Sequence, residues 1–203
     1  MKWEQDLVRD IRTGTEYDDR DGDGGIQHPD MSRWPWREVT EDNRVAFTER
    51  FLKVRDTCQS VLEIGVCNNL DESITYRFLE HKKPETIYVG IDIKDKSFLN
   101  DSSKHIYTIQ GSSSQVEENI EKMKSLGIKE FGFIFIDGWH SINQCLIDWE
   151  YTRLLAPNGI VGFHDTSVHP GPYHFIKALN KDIWEVEENV CTSDWGIGFA
   201  RKK

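Results

Sequence analysis

Two apolar runs in this chain, Phe131 to Ile136 and Gly159 to Phe163, each stop at a polar cluster. The first gives way to Asp137-Gly138-Trp139-His140, the second to His164-Asp165. Two carboxylates and two imidazoles can do acid–base chemistry, because an unperturbed histidine titrates near neutrality. The carboxylates Asp137 and Asp165 can instead give a hard cation such as Mg²⁺ its oxygen ligands. Either use requires these residues to meet, so the elements that carry them come next.

Between the two runs Ile142, Leu146, Trp149 and Arg153 recur at helical spacing, and Pro157-Asn158-Gly159 then breaks the chain. The spacing predicts a strand–helix–strand unit, which a right-handed crossover makes parallel. Groups that end parallel strands fall on the carboxyl edge of the sheet, where ligands of open α/β sheets bind. The rest of the chain repeats the pattern. Thr40 followed by Glu41, Asp42 and Asn43 reads as a helix start, with Val45, Thr48, Phe51, Leu52 and Arg55 on one face. Strands are expected at Ser60–Gly65, Thr86–Asp92 and His105–Gln110. Helices are expected through Leu70, Ile74, Phe78 and Leu79, and through Val116, Ile120 and Met123. After the opening unit come a short helix through Phe175, Ile176 and Leu179 and two terminal strands, Ile183–Glu187 and Gly196–Arg201, the last fit for an antiparallel edge. The expected fold class is α/β, a doubly wound, mostly parallel seven-stranded sheet on residues 41–203, with an N-terminal extension on residues 1–40.

The first strand exits through Glu63-Ile64-Gly65-Val66-Cys67-Asn68-Asn69. A glycine there lets backbone approach a ligand, while Cys67 and Asn69 stand where a G-x-G-x-G turn has its other glycines. The second strand ends at Asp92, 27 residues after Gly65. An acid in that place can accept both hydroxyls of a nucleoside ribose, or it can merely cap the next turn. A nicotinamide dinucleotide prefers the full set of glycines, and Glu63 at the turn's mouth repels a diphosphate. S-adenosylmethionine carries a sulfonium and an ammonium and no phosphate, so the charges favour it.

The segments VLEIGVCNN, YVGIDI, IQGSSS, FIDGWHS, DWEYTRLLAPNGIVGFHDT and GIGFARK, in this order, resemble class I S-adenosylmethionine-dependent methyltransferases. The nearest branch is that of macrocin O-methyltransferase and the cephalosporin-hydroxylase-like proteins, the methyltransferase domain 24 type. The resemblance spans about residues 58–201. It implies that Glu63 and Gly65 line the methionine end of the cofactor, that Asp92 binds the ribose, and that Ser112 and Ser113 lie near the adenine. It also implies that Asp137 stands beside the transferring methyl, and that Asp137 and Asp165 hold a divalent cation in metal-dependent members. The chain departs from the branch at Asn158, in place of a glycine, and at His164, where metal-binding members can have a second acid. The expected activity is methyl transfer to a hydroxyl of a small acceptor, a sugar or secondary metabolite, with proton removal by the cation or by His140 or His164 as base. Rival classes are a non-catalytic S-adenosylmethionine- or calcium-binding module and a nicotinamide-dependent oxidoreductase.

Several residues have a second reading. His140 and His164 also read as buried, satisfied histidines, and Trp139 as either an adenine-stacking or a core ring. Asp148 reads as a solvated or capping acid, and His169 and His174 as surface residues.

Composition sets the outer bounds. A net charge of −10 with scattered lysine and arginine excludes a duplex-binding face, so no nucleic-acid partner is expected. Mean hydropathy is −0.59, and no apolar stretch nears the roughly 20 residues of a membrane helix. The acidic start MKWEQDLVRD lacks a signal peptide's basic and apolar regions and favours a cytoplasmic setting. The cysteines, Cys58, Cys67, Cys145 and Cys191, show no ligand spacing and read as reduced thiols. A homo-oligomer is compatible with this composition. In the extension, Trp3 to Ile11 reads as a short helix. DRDGDGGIQHPD then places Asp19, Asp21, Asp23 and Asp30 at calcium-loop spacing, although an acidic solvated turn explains it as well. Trp34 and Trp36 follow, as rings that pack on the domain or cover a site.

Overall fold

The computed structural model describes residues 5–9, 11, 39–66, 73–191 and 195–203. Their centre is a seven-stranded sheet made of β1 (Ser60–Ile64), β2 (Ile87–Asp92), β3 (Ile106–Gln110), β4 (Phe131–Ile136), β5 (Leu155–His164), β6 (Trp184–Glu187) and β7 (Ile197–Lys202). The order across it is β3-β2-β1-β4-β5-β7-β6. Strands β1 to β5 pair in parallel, and β7 runs antiparallel to both β5 and β6. The expected doubly wound sheet with an antiparallel end is therefore present. Because successive strands leave β1 and β4 in opposite directions, the topological switch falls between these two, which lie side by side.

Among the described residues five α-helices cover the faces. Against one face pack α1 (Glu41–Val54) and α2 (Ile74–His81), and against the other α3 (Val116–Ser125), α4 (Ile142–Trp149) and α5 (Pro170–Ala178). Strand alternation sorts the core accordingly. Val61 points to the α1/α2 side, where Phe47, Phe51, Phe78 and Phe133 meet edge to face, while Leu62 and Ile64 point to the other.

Helix α1 starts where its capping box predicts. Thr40 accepts from the Asn43 amide, and the Asn43 side chain accepts from the Thr40 amide. Its buried face is a correction. Asn43, Ala46, Phe47, Phe51 and Val54 face the sheet, whereas Val45 and Leu52 are 46% and 41% exposed. The two phenylalanines at i and i+4 outweigh the branched residues that the sequence reading had placed inward. At the other end, α4 stops at Trp149 and tightens into a 3-10 turn over Glu150–Leu154. Strand β5 starts earlier than expected, at Leu155. It passes through Asn158 in the left-handed region at φ 63, with a register shift against β4, instead of beginning after Pro157-Asn158-Gly159.

Instead of the expected α-helix, the N-terminal residues in view make a 3-10 turn at Gln5 and Asp6 that runs into a β-bridge. Leu7 forms an antiparallel bridge with Leu179, and the Asn180 amide donates to the Asp6 carbonyl. The Asp6 carboxylate accepts from the indole N–H of Trp149 at 3.2 Å and of Trp184 at 3.1 Å. A buried acid between two buried donors pins this strap to the core. The calcium-spaced acids Asp19, Asp21, Asp23 and Asp30, and Trp34 and Trp36, lie outside the described residues. Among the described residues no helix is long and apolar enough to cross a membrane, and Cys58, Cys145 and Cys191 are buried.

Replacing Asp6 by alanine strands two indole donors. At about 1–3 kcal/mol for each, the expected loss is roughly 2–6 kcal/mol, read as a lower urea midpoint. Asp6→Asn, which keeps one acceptor oxygen, is expected to lose less, and equal midpoints for Asp6→Ala and the wild type would contradict the anchoring role.

Candidate functional site

The carboxyl ends of β1 to β4 frame a cleft of about 280 Å³, lined by Gly65, Asp92, Ser112, Ser113, Asp137 and Trp139 among others. Gly65 is the tightest point. It has φ +86, and a Cβ on it would stand 1.9 Å from the Asp137 carbonyl oxygen, so only glycine fits both the turn and the approach. The Asp92 carboxylate accepts the Val66 amide on Oδ2 at 3.0 Å and the Lys94 amide on Oδ1 at 2.7 Å. Each oxygen keeps a lone pair for an incoming hydroxyl. Trp139 is 49% exposed and lines the cleft instead of packing in the core. Cys67 and Asn69 lie outside the described residues.

Glu63 is placed differently from expectation. It is buried on the α1/α2 face behind the cleft, and its carboxyl accepts from the hydroxyls of Tyr88 and Thr75. Burial pushes its pKa up to about 8, opposed by those two hydrogen bonds and helped by the charges of Asp137 and Asp92. Near neutrality it is largely uncharged. The repulsion of a diphosphate that the sequence assigned to Glu63 is therefore not its doing.

Sequence reading passed over the group behind Ser113. The Gln144 amide nitrogen donates to Ser113 Oγ at 3.0 Å and to Asp148 Oδ1 at 2.8 Å, while its oxygen accepts from Ser114 at 3.0 Å. Asp148 is fully buried, not solvated, and burial raises its pKa to about 7. Its place beside Cys145 and Trp149 on the inward stripe of α4 was the available signal.

The reactive set lies where β4 and β5 end. Asp165 has φ +61, a left-handed backbone that Asp adopts more readily than most side chains. Its Oδ2 accepts from His140 Nε2 at 2.7 Å, and its Oδ1 lies 3.0 Å from His164 Nδ1. The same His164 nitrogen lies 3.4 Å from Asp137 Oδ1, so the carboxylate of the cleft and that of β5 share one imidazole. On the far side of the ring, Nε2 meets Asn43 Oδ1 at 3.2 Å. Burial alone would lower the pKa of His164, but Asp165 and Asp137 outweigh it and hold it well above the ordinary histidine value. His140 behaves likewise: burial lowers its pKa and the Asp165 hydrogen bond and charge raise it further. For Asp165 burial alone is unfavourable to the charge, but the two histidines keep it ionised. The His140 side chain is partly exposed, but its Nδ1 is itself buried and has no hydrogen-bond partner. Its carbonyl accepts from the Gly171 amide at 2.8 Å, and its ring stacks on His169 at 4.0 Å. His169 is thus buried, and His174 half-buried, rather than at the surface.

These residues fit a divalent cation. One ligand atom each from Asp137, His164 and Asp165 lies within 4.8 Å of the others, and Asp165 Oδ1 is buried without a hydrogen bond. The cleft fits a nucleoside, whose ribose hydroxyls would find an acceptor in the Asp92 carboxylate on its rim.

No protein-family model and no curated protein matches the chain. Solved structures do. It is similar to MycE, a methyltransferase of the mycinamycin biosynthetic pathway determined with Mg and SAH, at 17% identity and TM-score 0.57. That match covers 78% of this chain and 49% of MycE, so the chain spans about half its length. CalS11, a calicheamicin methyltransferase, is 11% identical at TM-score 0.58, with 80% of each chain covered. SMU.1697c from Streptococcus mutans, in complex with SAH, is 11% identical at TM-score 0.52, covering 78% of this chain and 95% of that one. At such identities the likeness is one of fold, and the fold is the Rossmann-like methyltransferase fold.

A carboxyl with a pKa near 8 when folded, against about 4.5 ordinarily, keeps a proton that the unfolded chain has released. Its contribution to stability is complete below pH 4.5 and is lost as pH rises through about 8. Glu63→Gln is expected to flatten the fall in denaturation midpoint between pH 5 and 8. The same slope in variant and wild type would show Glu63 ionised in the folded chain.

Proposed function

We propose that this protein transfers a methyl group from S-adenosylmethionine to a hydroxyl of a small acceptor, a sugar or secondary metabolite. The observation that carries this reading is the His140–Asp165 pair beside a cleft floored by Gly65 and rimmed by Asp92. In support, MycE has also been determined with mycinamycin VI, and CalS11 is described as a TDP-rhamnose 3'-O-methyltransferase.

In this reading Asp92 accepts the ribose hydroxyls, Trp139 offers a face for the base, and Ser112 and Ser113 border it. Gly65 lets the backbone approach the methionine end, while Asp137 gives the sulfonium a nearby negative charge. Bound S-adenosylmethionine supplies an electrophilic methyl, whose bond to sulfur breaks as the bond to oxygen forms. His140 takes the acceptor proton. Asp165 holds its Nε2–H and stabilises the imidazolium that forms, so the proton goes to Nδ1, the buried and unpartnered nitrogen, which the acceptor reaches by displacing the side chains that cover it. His164 does not serve as the base, because both its nitrogens face protein oxygens inside the fold. A divalent cation on Asp137 and Asp165 would lower the pKa of the hydroxyl. Asp137 and Asp165 then serve to orient that oxygen beside the cleft.

A nicotinamide-dependent oxidoreductase remains the contrast, and binding separates the two. Calorimetry is expected to show S-adenosylhomocysteine bound at micromolar strength, NAD unbound, and S-adenosylhomocysteine binding weakened at least tenfold in Asp92→Ala. NAD binding with no response to S-adenosylhomocysteine would overturn the proposal. With an acceptor identified by a one-methyl mass gain, His140→Gln is expected to lower kcat by about 10²–10⁴-fold and to leave S-adenosylhomocysteine affinity within a factor of three. An unchanged kcat would remove His140 from the base's role.

A further inference from the structure

The residue that departs from a second acid is also the one with a nitrogen aimed between the carboxylates. The orientation of its ring can be read from the capping box of α1. Asn43 Oδ1 accepts the Thr40 amide at 3.3 Å, which fixes that atom as the oxygen. His164 Nε2, 3.2 Å from it, must then carry a proton. That leaves Nδ1 directed at Asp165 Oδ1 and Asp137 Oδ1, at 3.0 and 3.4 Å. A histidine whose outer N–H is held by an oxygen while its inner nitrogen faces carboxylates is oriented as metal-ligating histidines are.

The spacings agree with this. Two donors each about 2.1 Å from one ion, at angles between octahedral and tetrahedral, stand roughly 3.0–3.4 Å apart. Asp165 Oδ1 is buried, and its one close polar neighbour is His164 Nδ1 at 3.0 Å, in a geometry too poor for a hydrogen bond. Its other oxygen is taken by His140. Asp137 lines the cleft, so the positions left on an ion here face the ligand space.

We propose that His164 is the nitrogen ligand of a cation site completed by Asp137 and Asp165, and that it turns the site from Mg²⁺ to a first-row transition dication such as Mn²⁺. Mg²⁺ takes oxygen ligands in a strict octahedron and gives up its waters reluctantly, whereas imidazole suits the transition metals. When no ion is bound, a proton on Nδ1 holds the same place between the two carboxylates. The inference concerns metal binding by this chain alone, so it can fail or hold whatever the outcome for methyl transfer.

The test uses the chelator-treated full chain with MnCl₂ and MgCl₂, without nucleoside or acceptor. Calorimetry gives the two affinities, and pulsed electron paramagnetic resonance of bound Mn²⁺ reads nitrogen ligation directly. The expected result is a ¹⁴N coupling that persists in His140→Ala and disappears in His164→Asp. His164→Asp is also expected to narrow the preference for Mn²⁺ over Mg²⁺ at least tenfold. Mn²⁺ bound without ¹⁴N coupling, a coupling lost in His140→Ala alone, or no binding by the wild type would each overturn the proposal. Should His164→Asp not fold by circular dichroism, His164→Gln replaces it for the coupling measurement, and the wild-type and His140→Ala spectra decide independently.

Discussion

At the exit of the two central strands the chain passes so close to itself that one carbon atom will not fit between Gly65 and the Asp137 carbonyl. That approach follows from pairing that continues past the strand ends. The Asp137 amide donates to the Ile64 carbonyl at 2.8 Å, the Gly65 amide to Ile91 at 2.9 Å, and the Gly111 amide to Asp92 at 2.9 Å. Three turns are thereby tied to their neighbouring strands by one hydrogen bond each. The cleft is accordingly the rigid end of a sheet, and the side chains at its rim inherit the register of β1, β2, β3 and β4. A site placed in this way needs little reorganisation when ligand arrives, which is what catalysis by positioning requires.

Holding that edge together means burying charge, which is costly unless each group is satisfied. The protein meets the cost in three ways. Glu63 accepts two hydroxyl hydrogen bonds and keeps its proton near neutrality. Asp148 is lodged against the Gln144 amide, which in turn fixes Ser113 and Ser114. Asp165 stays ionised between two histidines and adopts a left-handed backbone to reach both. The last arrangement leaves both an imidazole nitrogen and a carboxylate oxygen without a hydrogen bond near the cleft. A left-handed aspartate with unpartnered buried polar atoms at Asp165, His140 and Thr166 beside it is a combination that working sites favour.

Much of this was legible in the sequence because its signals are local. Apolar runs ending at Asp92, Asp137 and Asp165 gave the parallel strands and their carboxyl edge, and Thr40-Glu41-Asp42-Asn43 gave the start of α1. What escaped depends on contacts between distant segments. Nothing near Val45 or Leu52 says that Phe47 and Phe51 will claim the sheet, since the aromatic cluster that decides it comes from α2 and β4 as well. Glu63 looked like a cleft residue because strand exits are cleft residues, yet the pleat turns it to the opposite face from Leu62 and Ile64. Asn43 read as a cap and nothing more, although the same oxygen that closes the capping box also orients His164 across 121 residues of sequence.

With Glu63 buried and neutral, the charges that face a ligand at the β1 turn come from other residues. A neutral Glu63 offers no repulsion to a diphosphate, but Asp137 and Asp92 both line the cleft, and the Asp137 carbonyl lies against the Gly65 turn. A diphosphate seated on that turn would face a backbone oxygen and two carboxylates, with Lys94 the basic side chain among the lining residues. A sulfonium or an ammonium in the same place meets attraction from the backbone oxygen and both carboxylates, opposed by Lys94. The charges at this edge thus belong to residues that also shape the cleft. Asp137 does both, because its carbonyl sets the glycine at β1 while its carboxylate reaches the imidazole that joins it to Asp165.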